Sequence, residues 1–407
     1  MKINLKLSKD KKYLLACSYG PDSMCLFDLL LKGGYNFEIA HVNYHLREEE
    51  PKEMEDMKKI CKNFKIPLHI IDVYMPSGVN EEGWARNVRY DYFSSLGKKL
   101  NIKDVLIAHN EDDLIETFCL QLKRKNIVSY YGLKEVSNYK DVNIVRPLLK
   151  YKKSDLLKYC DENKVHYGID LSNFDTSYER NEIRKNLVSK MSELKRKLIL
   201  DEIKVLNEEL KKKITEISKF IEEDGGFFKK TISNLNDDDL QLLLIRVLEL
   251  KEIYYPISKK FVNEFRKILK KDINWHKELK NNVYLTIDYG YVNIYELLIN
   301  DYKYTLKDLD NSIFKLNSKS KMYEKIIEEG VYLKNGLKTN EVFKLQNGVK
   351  KKIGRCFIDW KVPFIYRRLW PGIYNKNNEL IYVPHYQEQS SIKNEGPLIF
   401  DLNHFIK

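Results

Sequence analysis

A chain of 407 residues, 43% of them hydrophobic, is long enough for two or three domains with cores of their own. Its 71 Lys and Arg against 59 Asp and Glu leave a net charge of +12, which favours a polyanionic partner such as RNA, although a Lys-rich genome would give the same excess. The six cysteines, Cys17, Cys25, Cys61, Cys119, Cys160 and Cys356, are scattered without a C-x-x-C pair and suggest neither a zinc ribbon nor a disulfide framework. No leader peptide and no apolar run of membrane length are read, so a soluble, cytoplasmic protein without a membrane partner is expected.

Residues 1 to about 172 alternate strand-like and helix-like segments at the pace of a doubly wound, mostly parallel α/β sheet. Strands are predicted at Tyr13–Cys17, Phe37–Asn43, Leu68–Val73, Asp104–Ala108 and His166–Asp170. Helices are predicted at Ser23–Leu31, Lys52–Phe64, Glu82–Leu100, Asp112–Lys123 and Lys153–Asn163. Ligands of such a sheet gather beyond the carboxyl ends of its strands.

The first strand runs into Ser18-Tyr19-Gly20-Pro21-Asp22-Ser23 and a helix. A helix N-terminus presents unpaired N–H groups and partial positive charge, so an anion fits there. Gly20 permits close approach, Pro21 fixes the helix entry, and Ser18 and Ser23 offer hydroxyls. Asp22 is out of place beside an anion unless it holds a divalent cation, Mg2+, bridging phosphates. An ordinary capped helix is the plain alternative.

After the second strand, His41, Asn43, His45 and Arg47 cluster where an adenine or ribose could sit. Arg86 and Arg89 are three apart on one helix face, either solvated or aimed at phosphate; Trp84, Tyr90 and Phe93 beside them suit packing. In Ala108-His109-Asn110-Glu111-Asp112-Asp113-Leu114-Ile115-Glu116-Thr117, helical spacing puts His109, Asp113 and Glu116 in one stripe and turns Ile115, Cys119 and Leu122 to the core. Acids in a first turn also complement the dipole. With a histidine at the same strand end they suit a metal, a general base or an ammonium substrate. Arg146-Pro147-Leu148-Leu149, Asp170-Leu171-Ser172-Asn173 and Arg180-Asn181-Glu182-Ile183-Arg184 follow, Arg180 and Arg184 sharing a face that could neutralise developing charge.

From about Asn186 to Lys280 the pattern turns to long amphipathic helices, at Lys190–Glu223, Asp237–Leu250 and Lys259–Lys271. Asn282–Ile287 and Tyr291–Tyr295 flank Asp288-Tyr289-Gly290 as a hairpin. The remainder is β-rich and basic. Three domains are drawn: 1–189 catalytic, 190–300 mainly helical, 301–407 β-rich. Arg367 and Arg368 are candidate phosphate contacts, with a solvated strand edge as the plain alternative.

The loop resembles the S-G-G-x-D-S signature of ATP pyrophosphatases, with Tyr19 in place of the first Gly; Tyr does not adopt positive φ cheaply, so either residue 19 is extended or nucleotide binding is altered. In order, SYGPDS, HVNYHLR, ARNVRY, AHNEDDLIET, RPLL, DLSN and RNEIR resemble the catalytic domain of the bacterial tRNA(Ile)-lysidine synthetases over about 190 residues. The resemblance implies an adenine nucleotide alpha hydrolase-like domain that uses ATP and Mg2+ to attach free L-lysine to the wobble cytidine of isoleucine tRNA with anticodon CAU. An adenylated base would be the intermediate. It implies ATP held by Ser18, Tyr19, Gly20, Pro21, Asp22, Ser23, His41 and Asn43, with Asp22 on Mg2+. Arg86, Arg89, Arg180 and Arg184 would stabilise charge, Asp113 and Glu116 the lysine ammonium or a second metal, and His109 would assist. Residues 190–407 would hold tRNA. Oligomeric state, a homodimer included, is left open. The alternatives are a tRNA thiolase of the same loop family, which usually needs paired cysteines, and a noncatalytic tRNA-binding relative.

Overall fold

The computed structural model describes residues 3–46, 50–79, 81–168, 179–306, 309, 313–320, 323–327, 330–344, 349–385 and 396–407. They divide into two compact units, Met1–Lys213 and Ile214–Lys407.

The first unit is a six-stranded sheet of β1 (Lys12–Ala16), β2 (Asn36–Asn43), β3 (Leu68–Asp72), β4 (Asp104–Ile107), β5 (Val136–Tyr139) and β6 (Val142–Val145). In space the order is β3-β2-β1-β4-β6-β5, parallel except for β5, which returns antiparallel at the edge. Its helices are α1 (Pro21–Lys32), α2 (Glu50–Phe64), α3 (Glu81–Leu100), α4 (Glu111–Lys123), α5 (Lys153–Asn163), α6 (Glu179–Asn186) and α7 (Glu193–Ser218), the last running on into the second unit.

Both sheet faces are covered, and the pleat sorts the side chains between them. From β1, Tyr13 and Leu15 enter a core with Met24 and Leu30 of α1, Met57 of α2 and Leu156 of α5. Leu14 points the other way, into a core with Tyr90, Phe93 and Leu96 of α3. Helix α4 buries Ile115 against Ile183 and Val188 instead, while Leu122 at its far end is exposed rather than in the core.

Four predicted strands form where expected. The fifth differs: residues 166–168 carry no regular structure and 169–170 lie outside the described residues. The strand beside β4 is β6, entered through a tight turn at Lys140-Asp141 in which Lys140 has φ 47°. Two four-residue strands interrupted by Ser137, Asn138 and Asn143 carry too little apolar pattern to stand out.

In the second unit, α8 (Asp237–Leu250) and α9 (Lys259–Leu269) accompany an antiparallel sheet. Its strands are β7 (Phe227–Phe228), β8 (Trp275–Lys280), β9 (Val283–Asp288) and β10 (Tyr291–Glu296), in the order β7-β10-β9-β8. The β9–β10 hairpin turns on Tyr289 and Gly290, both at positive φ (53° and 84°), as a two-residue primed turn requires. Beyond it, short antiparallel strands surround a core that includes the fully buried Trp370, Phe314 and Phe357. Among the described residues, no helix is long and apolar enough to cross a membrane.

Candidate active site

The loop between β1 and α1 is held from both sides. Cys17 N–H donates to Ala40 O (3.0 Å), and the Gly168 N–H donates to Tyr19 O (2.9 Å). Tyr19 is left-handed, φ 65°, so the extended alternative fails. Its ring explains how the strain is tolerated: only 6% of the residue is exposed, and it joins the core under α1 and α2. The ring also lines a cavity of about 540 Å³ with Lys52, Glu53, Asp56 and Tyr167.

Gly20 is the N-cap of α1 and offers no side-chain cap, and Pro21 opens the helix. The Ser23 hydroxyl donates to Gly20 O (2.9 Å), with Ser18 Oγ 3.4 Å from Ser23 Oγ and Ser18 exposed. The Asp22 Oδ2 accepts from Lys153 Nζ (3.1 Å), whereas Oδ1 is buried with no hydrogen-bond partner. Burial pushes the Asp22 carboxyl up, Asp113 adds to the rise, and Lys153 and Arg184 oppose it. A desolvated carboxylate with one oxygen unsatisfied fits a hard divalent cation such as Mg2+, which takes oxygen ligands.

Helix α4 begins with a reciprocal cap. Asn110 Oδ1 accepts from the N–H groups of Asp112 (2.9 Å) and Asp113 (3.2 Å), and Asp113 Oδ2 accepts from the Asn110 N–H (3.0 Å). One turn on, Glu116 is fully buried and takes a bidentate pair from Arg184, Nε to Oε1 at 2.7 Å and Nη2 to Oε2 at 3.0 Å. The same Nη2 lies 3.5 Å from Asp113 Oδ1. Burial works against the Arg184 charge, but Glu116, Asp113 and Asp22 outweigh it and hold its pKa above the ordinary value. Asp22, Asp113, Glu116 and Arg184, from three separate stretches, thus form one electrostatic cluster at the head of α1.

His109 sits in a different bond. Arg146 Nε donates to His109 Nδ1 (3.0 Å), while Arg146 Nη1 donates to Lys134 O (2.8 Å) and Ser137 Oγ (3.0 Å). Arginine only donates, so the ring proton of neutral His109 is on Nε2. Arg146 is 5% exposed, and burial, with Arg86 nearby, lowers its pKa. Sequence reading named Arg146 within a motif but gave it no part; two of its partners, Lys134 and Ser137, lie just before and on β5, in the hairpin region that the pattern did not reveal. Lys153 and Arg196 were missed likewise. Arg196 Nη1 binds Glu111 (3.1 Å) and Asp112 (2.8 Å), which takes up the other two acids of the α4 first turn.

His41 is buried, its Nδ1–H donates to Cys17 O (2.8 Å), and burial lowers its pKa. Asn43 donates to Asp72 Oδ1 (2.7 Å) and keeps a buried Oδ1 without a partner. On α3, Arg86 is exposed with its guanidinium 4.6 Å over the Tyr90 ring, and Arg89 is exposed. Arg180 lies on α6, but its side chain, like Arg47 and 170–178, lies outside the described residues. Arg367 and Arg368 sit on a short helix, Phe364–Leu369, rather than on a strand edge. Arg367 donates to Val362 O (2.7 Å) and Tyr289 Oη (3.2 Å), and Arg368 lies 4.7 Å over Tyr284.

A doubly wound sheet whose first strand delivers a glycine-capped helix start, with an aspartate oxygen left unsatisfied in its first turn, is the frame of an ATP-using domain of the PP-loop class. Residues 1–191 match the family described as PP-loop domain. A tRNA(Ile)-lysidine synthase of Mycoplasma mycoides subsp. mycoides SC is 34% identical over 92% of this chain and 97% of its own length. One of Thermotoga maritima is 26% identical over 93% and 92%. The chain belongs to the tRNA(Ile)-lysidine synthase family and is an enzyme. Among solved structures, the U34-tRNA thiolase NcsA of Methanococcus maripaludis is similar with a TM-score of 0.43 and 16% identity, over 50% of this chain and 73% of that one.

Proposed function

We propose that this enzyme ligates L-lysine to carbon 2 of the wobble cytidine of isoleucine tRNA with anticodon CAU, at the expense of ATP. The observation that carries the reading is the cluster of Asp22, Asp113, Glu116 and Arg184 at the head of α1. It sets a cation-seeking carboxylate, a buried guanidinium and two further acids around one helix start.

The cytidine 2-oxo group is a poor leaving group and needs activation. Its oxygen attacks the α-phosphate of ATP, forming an O–P bond as pyrophosphate leaves. The ε-amine of lysine then attacks carbon 2, the amine proton is lost, and AMP departs with the former 2-oxo oxygen. The free ammonium has a pKa of about 10.4, so it must shed a proton before attack.

In this reading the first turn of α1, with Ser18 and Ser23, holds the pyrophosphate, Tyr19 serving through its backbone. Asp22 would hold Mg2+, which supplies positive charge to the phosphate oxygens when bound. Arg184 faces the phosphoryl group under transfer, oriented by Glu116, with Arg86, Arg89 and Arg180 as further cations. Asp113 and Glu116 lend the lysine ammonium negative charge, Glu116 through space because both its oxygens are bonded to Arg184. His109, with its proton on Nε2, donates a hydrogen bond from that edge. His41 and Asn43 border the nucleoside, Asn43 Oδ1 being the unsatisfied acceptor. The second unit, with Arg367 and Arg368, contacts tRNA.

The test is ATP-dependent incorporation of labelled lysine into an unmodified isoleucine tRNA transcript, beside methionine tRNA bearing the same anticodon. Incorporation into the first alone is expected. No incorporation into either, with Mg2+ and ATP present, would overturn the reading.

A further inference from the structure

Far from the ATP loop in sequence, the second unit carries a groove of about 360 Å³ between α9 and the edge strand β8. Helix α9 is sharply two-sided: Phe261, Val262, Phe265 and Leu269 are buried, and its other positions are largely charged. Phe261 stacks on Phe265 (ring centroids 6.2 Å apart, planes 16° apart), and Phe265 meets Trp275 of β8 at 5.7 Å. This row of rings ends in Trp275, which is only half-buried and lends part of its surface to the groove.

The rim is cationic. Lys267 and Lys271 are exposed at the end of α9, and Lys277 of β8 reaches over the Phe261 ring at 5.0 Å. Glu264, 3.8 Å from Lys277, is the one acid among the described lining residues. Lysines at a helix C-terminus complement the dipole, which accounts for Lys267. That argument says nothing of Lys277 on a strand, nor of an aromatic face left open beside it.

An aromatic floor with cations spaced around it is how proteins hold unstacked nucleotides: the ring takes the base and the ammonium groups take the flanking phosphates. We infer that this groove binds one unpaired nucleotide of an RNA strand, the base stacked on Trp275 and the adjoining phosphates met by Lys267, Lys271 and Lys277. The inference rests on the reading of this chain as a tRNA-modifying enzyme, and it names a contact that tolerates any base.

Binding of the isoleucine tRNA transcript to the full chain is measured over a range of salt concentrations. The doubly substituted Lys267→Gln/Lys271→Gln protein should bind more weakly. Its log-log salt slope should be shallower by about 1.5, since each phosphate contact contributes roughly 0.7 to 0.9. Trp275→Leu should lose about tenfold in affinity with the salt slope unchanged, because stacking releases no counterions. Oligouridine should compete with tRNA on wild type and lose that ability on Trp275→Leu. Should Trp275→Leu not fold, the lysine pair, fully on the surface, still decides. Wild-type slope and affinity within twofold for the lysine pair would overturn the groove if wild type lysidinylates its transcript. Failure of wild type to do so would instead remove the reading on which the groove rests, and the groove with it.

Discussion

Tyr19 occupies the position where a glycine would be cheapest, and two opposing effects decide what its replacement does. Left-handed backbone costs about 1–2 kcal/mol for a residue with a Cβ, whereas truncating a buried aromatic costs roughly 3–5 kcal/mol. Burial wins, so Tyr19→Gly should destabilise by about 2 kcal/mol in denaturant unfolding while the KM for ATP moves by less than about threefold. A large rise in that KM would mean the ring touches nucleotide. Asp22→Ala should abolish pyrophosphate release from ATP and tRNA, and release near the wild-type rate would remove Asp22 from the metal. Glu116 has two duties in the proposed scheme, and they separate experimentally. Glu116→Gln leaves Arg184 without its buried partner, a loss of about 3 kcal/mol in stability. It should also impair lysine use more than pyrophosphate release, and an unaltered response to lysine concentration would take Glu116 out of the amine site.

Single elements carry further consequences. The start of α4 depends on Asn110, whose side-chain oxygen caps the Asp112 and Asp113 N–H groups; Asn110→Ala should cost about 1 kcal/mol in denaturant unfolding, while the Asn110 N–H bond that holds the Asp113 carboxylate stays in place. At the end of β9, Asp288 accepts from the Phe364 N–H (3.0 Å) while its Oδ2 is buried without a partner, and burial raises its pKa despite Arg367 and His276. A carboxyl whose folded pKa is raised favours the folded state when protonated; that contribution is lost as pH rises from the unfolded value through the folded one. Asp288→Asn should therefore melt higher than wild type at pH 8, with the gap closing toward pH 4; a gap that widens in acid would contradict the assignment. Elements were legible in proportion to their apolar pattern. The bounds of α5 and α8 match the sequence reading residue for residue: periodic apolar positions run through both, and Asn236 caps the start of α8 through its side chain. The β5–β6 hairpin escaped because its strands are only four residues long and are interrupted by Ser137, Asn138 and Asn143. Arg184, Asp113 and Glu116 were legible as separate signals, but their shared ion pair depends on where α6 packs against α4, which spacing along the chain does not encode. The path of the Tyr19 ring was hidden for the same reason.

On the scale of the molecule, the excess of 12 positive charges should make tRNA affinity fall steeply with salt, by several units of log-log slope; a flat dependence would leave that charge without a role. The unit that ends at Lys213 holds the whole cluster around Asp22, while the groove at Trp275 belongs to the other. Mutations in one should therefore alter turnover and in the other affinity, a division that a split of kcat against tRNA KM would expose. The anchored loop has a last consequence for how nucleotide is gripped. With the Tyr19 ring sunk in the core and its carbonyl fastened to Gly168, the crest of the loop surrenders its freedom when the chain folds, long before ATP arrives. The ordering that a glycine-rich loop undergoes on binding is already complete here, so calorimetry should find a smaller entropic penalty for ATP than in the Tyr19→Gly protein. An aromatic residue anchored in the core would then act as a clasp closed in advance.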